Sequence, residues 1–577
     1  MQISRKPTHL HISFSFKSFK TQIFVILLAL MVCNGSLQAQ QTKDNKRPNI
    51  ILIMADDLGY SDIGCYGGEI STPNLDNLAK NGLRFSQFYN TSRCCPTRAS
   101  LLTGLYSHQA GVGDMTFDQK TPGYRGYLTE NTVTIAEVLK KAGYHTGMIG
   151  KWHVSNTVIK PKEEHLKWLA HQSYHPFFSP VEQYPVNRGF EKYYGTIWGV
   201  NNFFDPFSLV NGTEPVKTVP KDFYYTDAIN DTASAYISQF SKTGKPFFLY
   251  VAHTAPHWPL HALDEDIKKY ENTYSVGWDA IREERYKKLI REGVFPGDKN
   301  MLSNRWKTEL KWENNPTKDW DAHAMAVRAA MIDRMDQGIG RIINTLKKTG
   351  QLENTLIIFL SDNGASSDDA QKYVPGNDRP GQTRTGQEII YPVNKDLNAG
   401  PENTFASADQ MWSNVANTPF RYWKTEPFEG GICTPMIAYW PEGLKAPKGS
   451  VTAQKGHVMD FMATFTELAK TTYPSTFEGR TITPTTGQSI VPILHNKQRQ
   501  GHDYLFFEHI GRRAVIHGDW KLLALNNDQW QLYNLKNDRS EMNNVATVNP
   551  DIVAKLSIAW QDWAESHNVL PKPPKAK

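Results

Sequence analysis

The chain has 577 residues, of which 40% are hydrophobic and 21% are charged, so its composition excludes a largely disordered protein. The formal net charge is +6, and because residues 1–39 contain four basic and no acidic residues, about +2 remains on the rest. A nearly neutral chain gives no reason to expect nucleic acid as a partner. Its length predicts either two to four domains or one large α/β domain with an appendage.

The N-terminal segment, residues 1–39, has the features of a secretory signal peptide. Four basic residues precede the apolar run Ile23–Val32, which is too short to span a bilayer but fits the hydrophobic region of such a signal. We expect cleavage after Ala39 and export to the periplasm or the cell exterior. Cys33 would allow a lipid anchor instead, although Val32 is a poor neighbour for lipoprotein processing. No later apolar run is long enough for an integral membrane segment.

Beyond residue 48, short apolar runs alternate with helical patterns, which predicts an α/β fold with a large, mostly parallel sheet flanked by helices. The runs that predict buried strands are residues 49–54, 145–150, 246–252 and 354–360. The helical patterns cover residues 72–82, 132–144 and 324–350. Residues 364–429 are rich in Gly, Pro, Asn and Asp, which predicts a long functional loop region rather than a packed element.

The C-terminal part has a different pattern. Residues 512–525 and 528–535 alternate as antiparallel strands, and residues 550–566 form a final helical pattern. We therefore predict a signal peptide at 1–39, a catalytic α/β domain at 40–501, and a small α+β subdomain with an antiparallel sheet at 502–577.

Polar side chains follow the ends of the four predicted strands. They are Asp56, Asp57, Lys151, His153, His257, Asp362 and Asn363. Ligand sites in open α/β sheets lie at the carboxyl ends of strands, so we expect these residues to converge on one crevice. Singly, each Asp or Asn is equally well explained as a turn residue. Together, three carboxylates and an amide oxygen predict a hard cation, Ca²⁺ or Mg²⁺, rather than zinc.

The stretch "RCCPTRASLLTG" places Cys94 and Cys95 side by side, which disfavours a disulfide between them. Four cysteines remain after the signal, too few for a disulfide framework. Pro96 predicts the first turn of a helix, whose N-terminus favours an anion. Arg98 follows one turn later. The stretch is therefore expected to hold a negatively charged or strongly polar group.

These residues resemble a known family. The stretch matches the C-x-P-x-R-x4-T-G motif of type I, formylglycine-dependent sulfatases, with Cys94 at the first position. "ADDLG", "GKWH", "SDNG", "EGGICTP" and "HGDWKLL" follow the family's order, and the resemblance covers nearly all of the mature chain. The chain is thus similar to bacterial arylsulfatase-type enzymes of the alkaline-phosphatase-like superfamily.

The resemblance implies that a maturation enzyme oxidises Cys94 to Cα-formylglycine, whose hydrated gem-diol is the nucleophile, while Cys95 has no role. It implies that Ca²⁺ is bound by the gem-diol at residue 94 and by four other residues, which are Asp56, Asp57, Asp362 and Asn363. One hydroxyl attacks sulfur, and the second is later deprotonated so that sulfate leaves.

The remaining roles also come from the resemblance. His257 would protonate the leaving oxygen, and His153 would deprotonate the second hydroxyl of the sulfated diol. Lys151 and Lys424 would bind sulfate oxygens, and Arg98 would hold the diol. Lys424 has an alternative interpretation, as a surface lysine in a mobile loop.

The expected activity is hydrolysis of sulfate monoesters, either sulfated carbohydrates or aryl sulfates. Two alternatives stay open: a phosphonate monoester or phosphodiester hydrolase of the same superfamily, and a protein that binds sulfated glycans without turnover. His509 and Arg512 are expected near the pocket mouth. Five tryptophans in the variable loops serve either sugar stacking or packing; they are Trp198, Trp306, Trp312, Trp320 and Trp412.

Overall fold

The computed structural model describes residues 2, 6–10, 47–158, 161, 163–164, 179–297, 301–374, 379–383, 385–393, 395–526 and 528–573. The predicted apolar run of the signal peptide and its cleavage position lie outside these residues. The chain divides into residues 1–47 and a second unit, residues 48–577. Among the described residues, no helix is both long and apolar enough to cross a bilayer.

The second unit is built on a ten-stranded sheet. From one edge to the other the strands are Ser450–Thr452, Leu83–Phe85, Met436–Tyr439, Thr355–Ser361, Asn49–Ala55, Phe247–Ala252, His145–Gly150, Lys192–Thr196, Leu209–Asn211 and Glu214–Pro215. The five strands at the centre, from 355–361 to 192–196, are parallel to one another. Antiparallel pairs occur towards the edges.

The central strands are largely apolar because both of their faces are covered. Along Asn49–Ala55, Ile51 and Ile53 belong to one buried cluster, and Ile50 and Leu52 belong to the other. The first cluster is closed by the helices Tyr225–Phe240 and Lys318–Lys348. The second is closed by Cys94–Thr103, Ile135–Lys141 and Asp460–Leu468. The predicted α/β fold class is confirmed.

Two elements differ from the sequence prediction. The helix expected at 324–350 begins at Lys318, where Trp320 is buried and donates to the Leu397 carbonyl at 2.9 Å. The region expected to be loop contains the helix Asp409–Ala416, which is packed through Met411 and Trp412. Both corrections come from contacts with distant segments, which local composition does not encode.

The described residues contain further α-helices. They are Pro73–Asn81, Asp264–Ile267, Trp278–Arg291, Glu429–Ile432 and Val491–Leu494.

A separate four-stranded antiparallel sheet follows near the C-terminus, as predicted. Its strands are Tyr504–His509, Arg512–His517, Trp520–Ala524 and Gln531–Asn534, and the helix Pro550–Ser566 packs on it. The Nζ of buried Lys521, in this sheet, lies 3.0 Å from Glu429 Oε1 and 2.7 Å from Glu541 Oε1. These ion pairs tie the sheet to the segment that carries "EGGICTP". The proposed boundary at residues 501 and 502 stays a prediction.

Candidate active site

Four neighbouring parallel strands end at the same edge of the main sheet. They are Asn49–Ala55, His145–Gly150, Phe247–Ala252 and Thr355–Ser361. The polar residues singled out in the sequence follow these ends directly and are buried there. The structure therefore brings the predicted set together in one buried cluster.

Two of the carboxylates are held by cationic side chains. The Nζ of Lys151 donates to Asp56 Oδ2 at 2.6 Å, and Arg98 Nη2 donates to Asp362 Oδ2 at 2.8 Å. The other oxygen of Asp362 accepts from the backbone N–H of Asp57 at 3.2 Å. Burial, followed by the charge of Asp56, raises the pKa of Asp362 to about 7. Burial and the charge of Asp56 thus outweigh the attraction of Arg98 for the Asp362 carboxylate.

The third carboxylate, Asp57, has the most partners. Both of its oxygens accept from Lys424 Nζ, at 2.7 and 2.9 Å, and Asn363 Nδ2 donates to Oδ1 at 2.6 Å. The Nε2 of His257 lies 3.5 Å from Oδ2. Burial alone would raise the pKa of Asp57, but Lys424 and then His257 outweigh it and lower the pKa to about 2. Asp57 is therefore ionised at neutral pH.

The oxygen atoms of the cluster fit a hard divalent cation. Asp56 Oδ1 and Asn363 Oδ1 are buried and have no hydrogen-bond partner among the described residues. Each unpaired buried acceptor costs about 1–3 kcal/mol, which a bound cation would recover. The ligand atoms of Asp56, Asp57 and His257 lie within 4.8 Å of one another. Carboxylate and amide oxygens are the ligands that Ca²⁺ prefers.

The backbone is strained where it presents these side chains. Asp57 has φ of 63° and His153 has φ of 56°, values in the left-handed region that non-glycine residues seldom adopt. Such residues cost about 1–3 kcal/mol and persist where the surroundings fix them. Gly150 has φ of 98°, and a Cβ there would lie 1.9 Å from the Ala252 carbonyl oxygen. Only glycine lets the strand end approach its neighbour so closely.

Cys94 is the first residue of the helix Cys94–Thr103 and is 2% exposed. The pKa of its thiol lies well below the usual value. The causes are a hydrogen bond from Cys95, then the charges of Lys151 and Lys424, which together overcome burial. The neighbouring Cys95 has no exposed surface, and its Sγ lies 3.8 Å from Met115 Sδ. Burial and then the neighbouring Cys94 raise the pKa of Cys95, so of the two thiols only that of Cys94 has a lowered pKa.

The cationic side chains contact carboxylates in this structure. Lys424 is 2% exposed, which excludes its alternative interpretation as a surface lysine. Arg98 donates to Asp362 and also to the Lys151 carbonyl at 2.9 Å, so it fixes the strand end as well as the carboxylate. Their predicted roles towards sulfate and the diol stay predictions.

The rings of the two histidines are held in different ways, one by a hydrogen bond and the other by packing against an aromatic ring. The Nδ1 of His257 lies 2.6 Å from the Trp258 carbonyl, so Nδ1 carries a proton and Nε2 faces Asp57. Burial lowers the pKa of His257 to about 4. The ring of His153 packs against Trp198, with centroids 5.5 Å apart, and burial followed by Lys151 lowers its pKa to about 3. A neutral His153 at pH 7 is able to accept a proton.

Two charged residues at the site were missed by sequence reasoning. Arg93 immediately precedes Cys94, and its guanidinium interacts with Asp368, Cys94 and Asp57. Asp368 interacts in turn with Arg93 and Lys424. Arg93 could have been predicted from its position next to the cysteine pair. No sequence feature distinguishes Asp368 from the other acidic residues of its loop.

The residues expected at the pocket mouth are less accessible than predicted. His509 is 2% exposed and feels the charge of Arg93, so the C-terminal sheet does reach the site. Arg512 pairs with Glu426 at 3.1 Å, two residues beyond Lys424. Of the five loop tryptophans, only Trp306 is substantially exposed, at 36%. The packing interpretation therefore holds for the other four.

Comparison with known proteins agrees with this geometry. A model of the sulfatase family matches residues 48–471, and a model described as "N-sulphoglucosamine sulphohydrolase, C-terminal" matches residues 421–560. The chain is 32% identical to an uncharacterised sulfatase of Schizosaccharomyces pombe over 92% of this chain and 96% of that one. It is 33% identical to an arylsulfatase of Klebsiella aerogenes over 82% of this chain and 96% of that one.

A solved structure, that of Ps i-CgsB in complex with k-i-k-neocarrahexaose, superposes with a TM-score of 0.62 at 26% identity. The superposition covers 90% of this chain and 93% of the other. The family models, the relatives and the shared fold agree with one another, and the chain belongs to the sulfatase family of sulfuric ester hydrolases.

Proposed function

We propose that this protein is an exported sulfatase that hydrolyses sulfate monoesters through Cα-formylglycine formed at Cys94, with Ca²⁺ as its metal. The setting of Cys94 carries the proposal. The residue lies at a helix N-terminus and feels the charges of two lysines, beside a cluster of carboxylates. A helix N-terminus and lysines bind an anionic substrate group, and the carboxylates bind a cation.

Asp56, Asp57, Asp362 and Asn363 would hold the Ca²⁺, and they offer the unpaired Oδ1 atoms of Asp56 and Asn363. The cation would supply a Lewis acid for sulfate oxygens, and formylglycine would supply a hydrated aldehyde as the nucleophile.

The residues of the chain bind the ester and move protons. The charges of Lys151 and Lys424 both act on Cys94, and the two lysines would bind sulfate oxygens as point charges. His257 would protonate the leaving oxygen from Nε2, because Nδ1 is fixed on a carbonyl and an anionic ester favours the imidazolium form. Neutral His153 would take the proton whose removal releases sulfate.

The substrate proposed is a sulfated carbohydrate, with aryl sulfates as smaller surrogates. The structurally similar Ps i-CgsB was solved with a bound neocarrahexaose, which supports a glycan. Maturation requires a formylglycine-generating enzyme as a partner, and the predicted signal peptide supports export. The matched relatives bear sulfatase names, which favours sulfate over the phosphonate or phosphodiester alternative.

The function is tested by sulfate release from a defined panel. The protein is co-expressed with a maturation enzyme, and formylglycine at Cys94 is verified by peptide mass. We expect turnover of 4-nitrophenyl sulfate, and faster turnover of one monosulfated sugar, in the presence of Ca²⁺. Higher activity on bis-4-nitrophenyl phosphate than on any sulfate ester would instead support the phosphodiesterase alternative.

Calcium binding is testable without activity. Ca²⁺ at 100 times its Kd should raise the free energy of unfolding by about 2.7 kcal/mol, because the cation binds only the folded site. Asp56→Asn should remove most of this increase, since it replaces one of the buried carboxylates. Asp118→Asn is the matched control, because Asp118 pairs with Arg125 away from the cluster. Equal stabilisation of Asp56→Asn and the unmodified protein would place the cation elsewhere.

A further inference from the structure

Two charged side chains beside Cys94 have no role in the chemistry described so far. Arg93 is the N-cap residue of the Cys94–Thr103 helix. Asp368 follows Asp362 by six residues, beyond the end of the Thr355–Ser361 strand. Neither belongs to the set that would hold the cation, the nucleophile or the sulfate. Their partners show what they are placed to do.

The guanidinium of Arg93 has one buried donor without an acceptor. Its Nε is buried and has no hydrogen-bond partner within the described part of the chain, although the residue as a whole is partly exposed. Asp368, Cys94 and Asp57 overcome burial and raise the pKa of Arg93, so it is always charged. Leaving a buried N–H of a charged group unpaired is costly. A ligand oxygen would satisfy it.

Asp368 is the complementary acceptor, and its orientation is fixed. Trp258 Nε1 and Ser366 Oγ both donate to its Oδ2, each at 2.9 Å. None of the hydrogen bonds among described residues engages Oδ1. Burial alone would raise the pKa of Asp368, but Arg93 and then Lys424 hold it below its usual value. Asp368 therefore presents an ionised oxygen on a carboxylate that cannot rotate freely.

The two residues lie close to each other and to the reacting group, because each is the strongest charge that acts on the other. Arg93 adjoins Cys94, the nucleophile position, whereas Asp368 is bonded to Trp258, the residue after His257. A sulfate ester that extends from Cys94 towards His257 places the carbon bearing the ester oxygen, and its neighbours, close to both residues. A sugar hydroxyl both accepts and donates hydrogen bonds, so a fixed donor beside a fixed acceptor matches it.

We propose that Arg93 and Asp368 form a pair that binds the sugar hydroxyl next to the sulfated carbon, with Arg93 as donor and Asp368 as acceptor. This inference rests on the proposed function, because it assigns the first sugar of that substrate. Because the charges of the pair balance, the pair offers no net attraction to a second sulfate or a carboxylate at that position. The pair selects sugars with a free hydroxyl beside the sulfate.

Asp368→Asn and Arg93→Met test the pair. Asn keeps an oxygen for Trp258 and exchanges the free acceptor for a donor, while Met keeps the apolar stem of Arg93. We expect kcat/KM on the preferred monosulfated methyl glycoside to fall about 10- to 100-fold in each variant, as for loss of a hydrogen bond to a charged group. 4-Nitrophenyl sulfate lacks that hydroxyl, so its kcat/KM should fall by a factor about tenfold smaller than that of the sugar.

A substrate change gives the decisive comparison. The deoxy analogue that lacks the hydroxyl beside the sulfate should be hydrolysed equally well by Asp368→Asn and the unmodified protein. Asp369→Asn is the matched control, because Asp369 is partly exposed and pairs with Lys372. The pair would be overturned if kcat/KM fell equally on the aryl sulfate and the sugar, or did not fall on the sugar. It would also be overturned if Asp368→Asn slowed hydrolysis of the deoxy analogue.

Product binding separates this inference from the proposed function. Unsulfated methyl glycosides of galactose, glucose and N-acetylglucosamine are tested by saturation-transfer NMR on Cys94→Ala, with and without Asp368→Asn. Binding that Asp368→Asn abolishes supports the pair even if the matured enzyme releases no sulfate, an outcome that would overturn only the hydrolytic proposal. Binding of no glycoside, or binding unaffected by Asp368→Asn, overturns the pair whatever the hydrolysis assay shows.

Discussion

Replacing Cys94 by alanine should abolish sulfate release from every substrate, with kcat reduced by at least about 10⁴-fold, as for other enzymes that lose their nucleophile. The reason is that alanine carries no sulfur to be converted to formylglycine at the helix N-terminus where the charges of Lys151 and Lys424 act. The measurement is sulfate release by ion chromatography after co-expression with the maturation enzyme.

Cys95→Ala is the matched control, because it removes the adjacent buried thiol and leaves the helix N-terminus intact. We expect it to keep formylglycine at position 94 and to stay within about tenfold of the unmodified enzyme. Retained turnover in Cys94→Ala, or abolished turnover with intact formylglycine in Cys95→Ala, would contradict the assignment of the nucleophile.

Replacing His257 by glutamine should slow hydrolysis of a sugar sulfate by about 10²–10⁴-fold, which is the usual contribution of a positioned acid. The loss on 4-nitrophenyl sulfate should be much smaller, because nitrophenolate is a stable anion and leaves without a proton. The measurement is kcat for both substrates with the same preparation of matured enzyme.

Glutamine at position 257 retains hydrogen-bonding groups near Asp57, so the carboxylate does not lose a polar neighbour. His517→Gln is the control, because that histidine lies on the C-terminal sheet beside Asp503. Equal losses on the sugar and the aryl sulfate would show that His257 supports the cation site or the fold rather than the leaving group.

The sequence by itself determined the central strands and the residues that follow them. Strands buried on both faces must be largely apolar, so runs such as Asn49–Ala55 and Thr355–Ser361 are visible without any partner. Their ends, at Asp56 and Asp362, follow directly. The helix that begins at Cys94 was equally local, since a proline in the first turn and Gly104 at the end mark it.

Tertiary structure alone decided how the charges are paired. Lys424 contacts Asp57 across 367 residues of chain, and Arg98 reaches Asp362 across 264. No local periodicity encodes such contacts, because they depend on the order of strands in the sheet. The same holds for Arg93 and Asp368, because Arg and Asp are common on protein surfaces and the sequence alone does not mark these two as site residues. Burial, strand order and the unpaired atoms of the folded chain identify these residues as parts of the site.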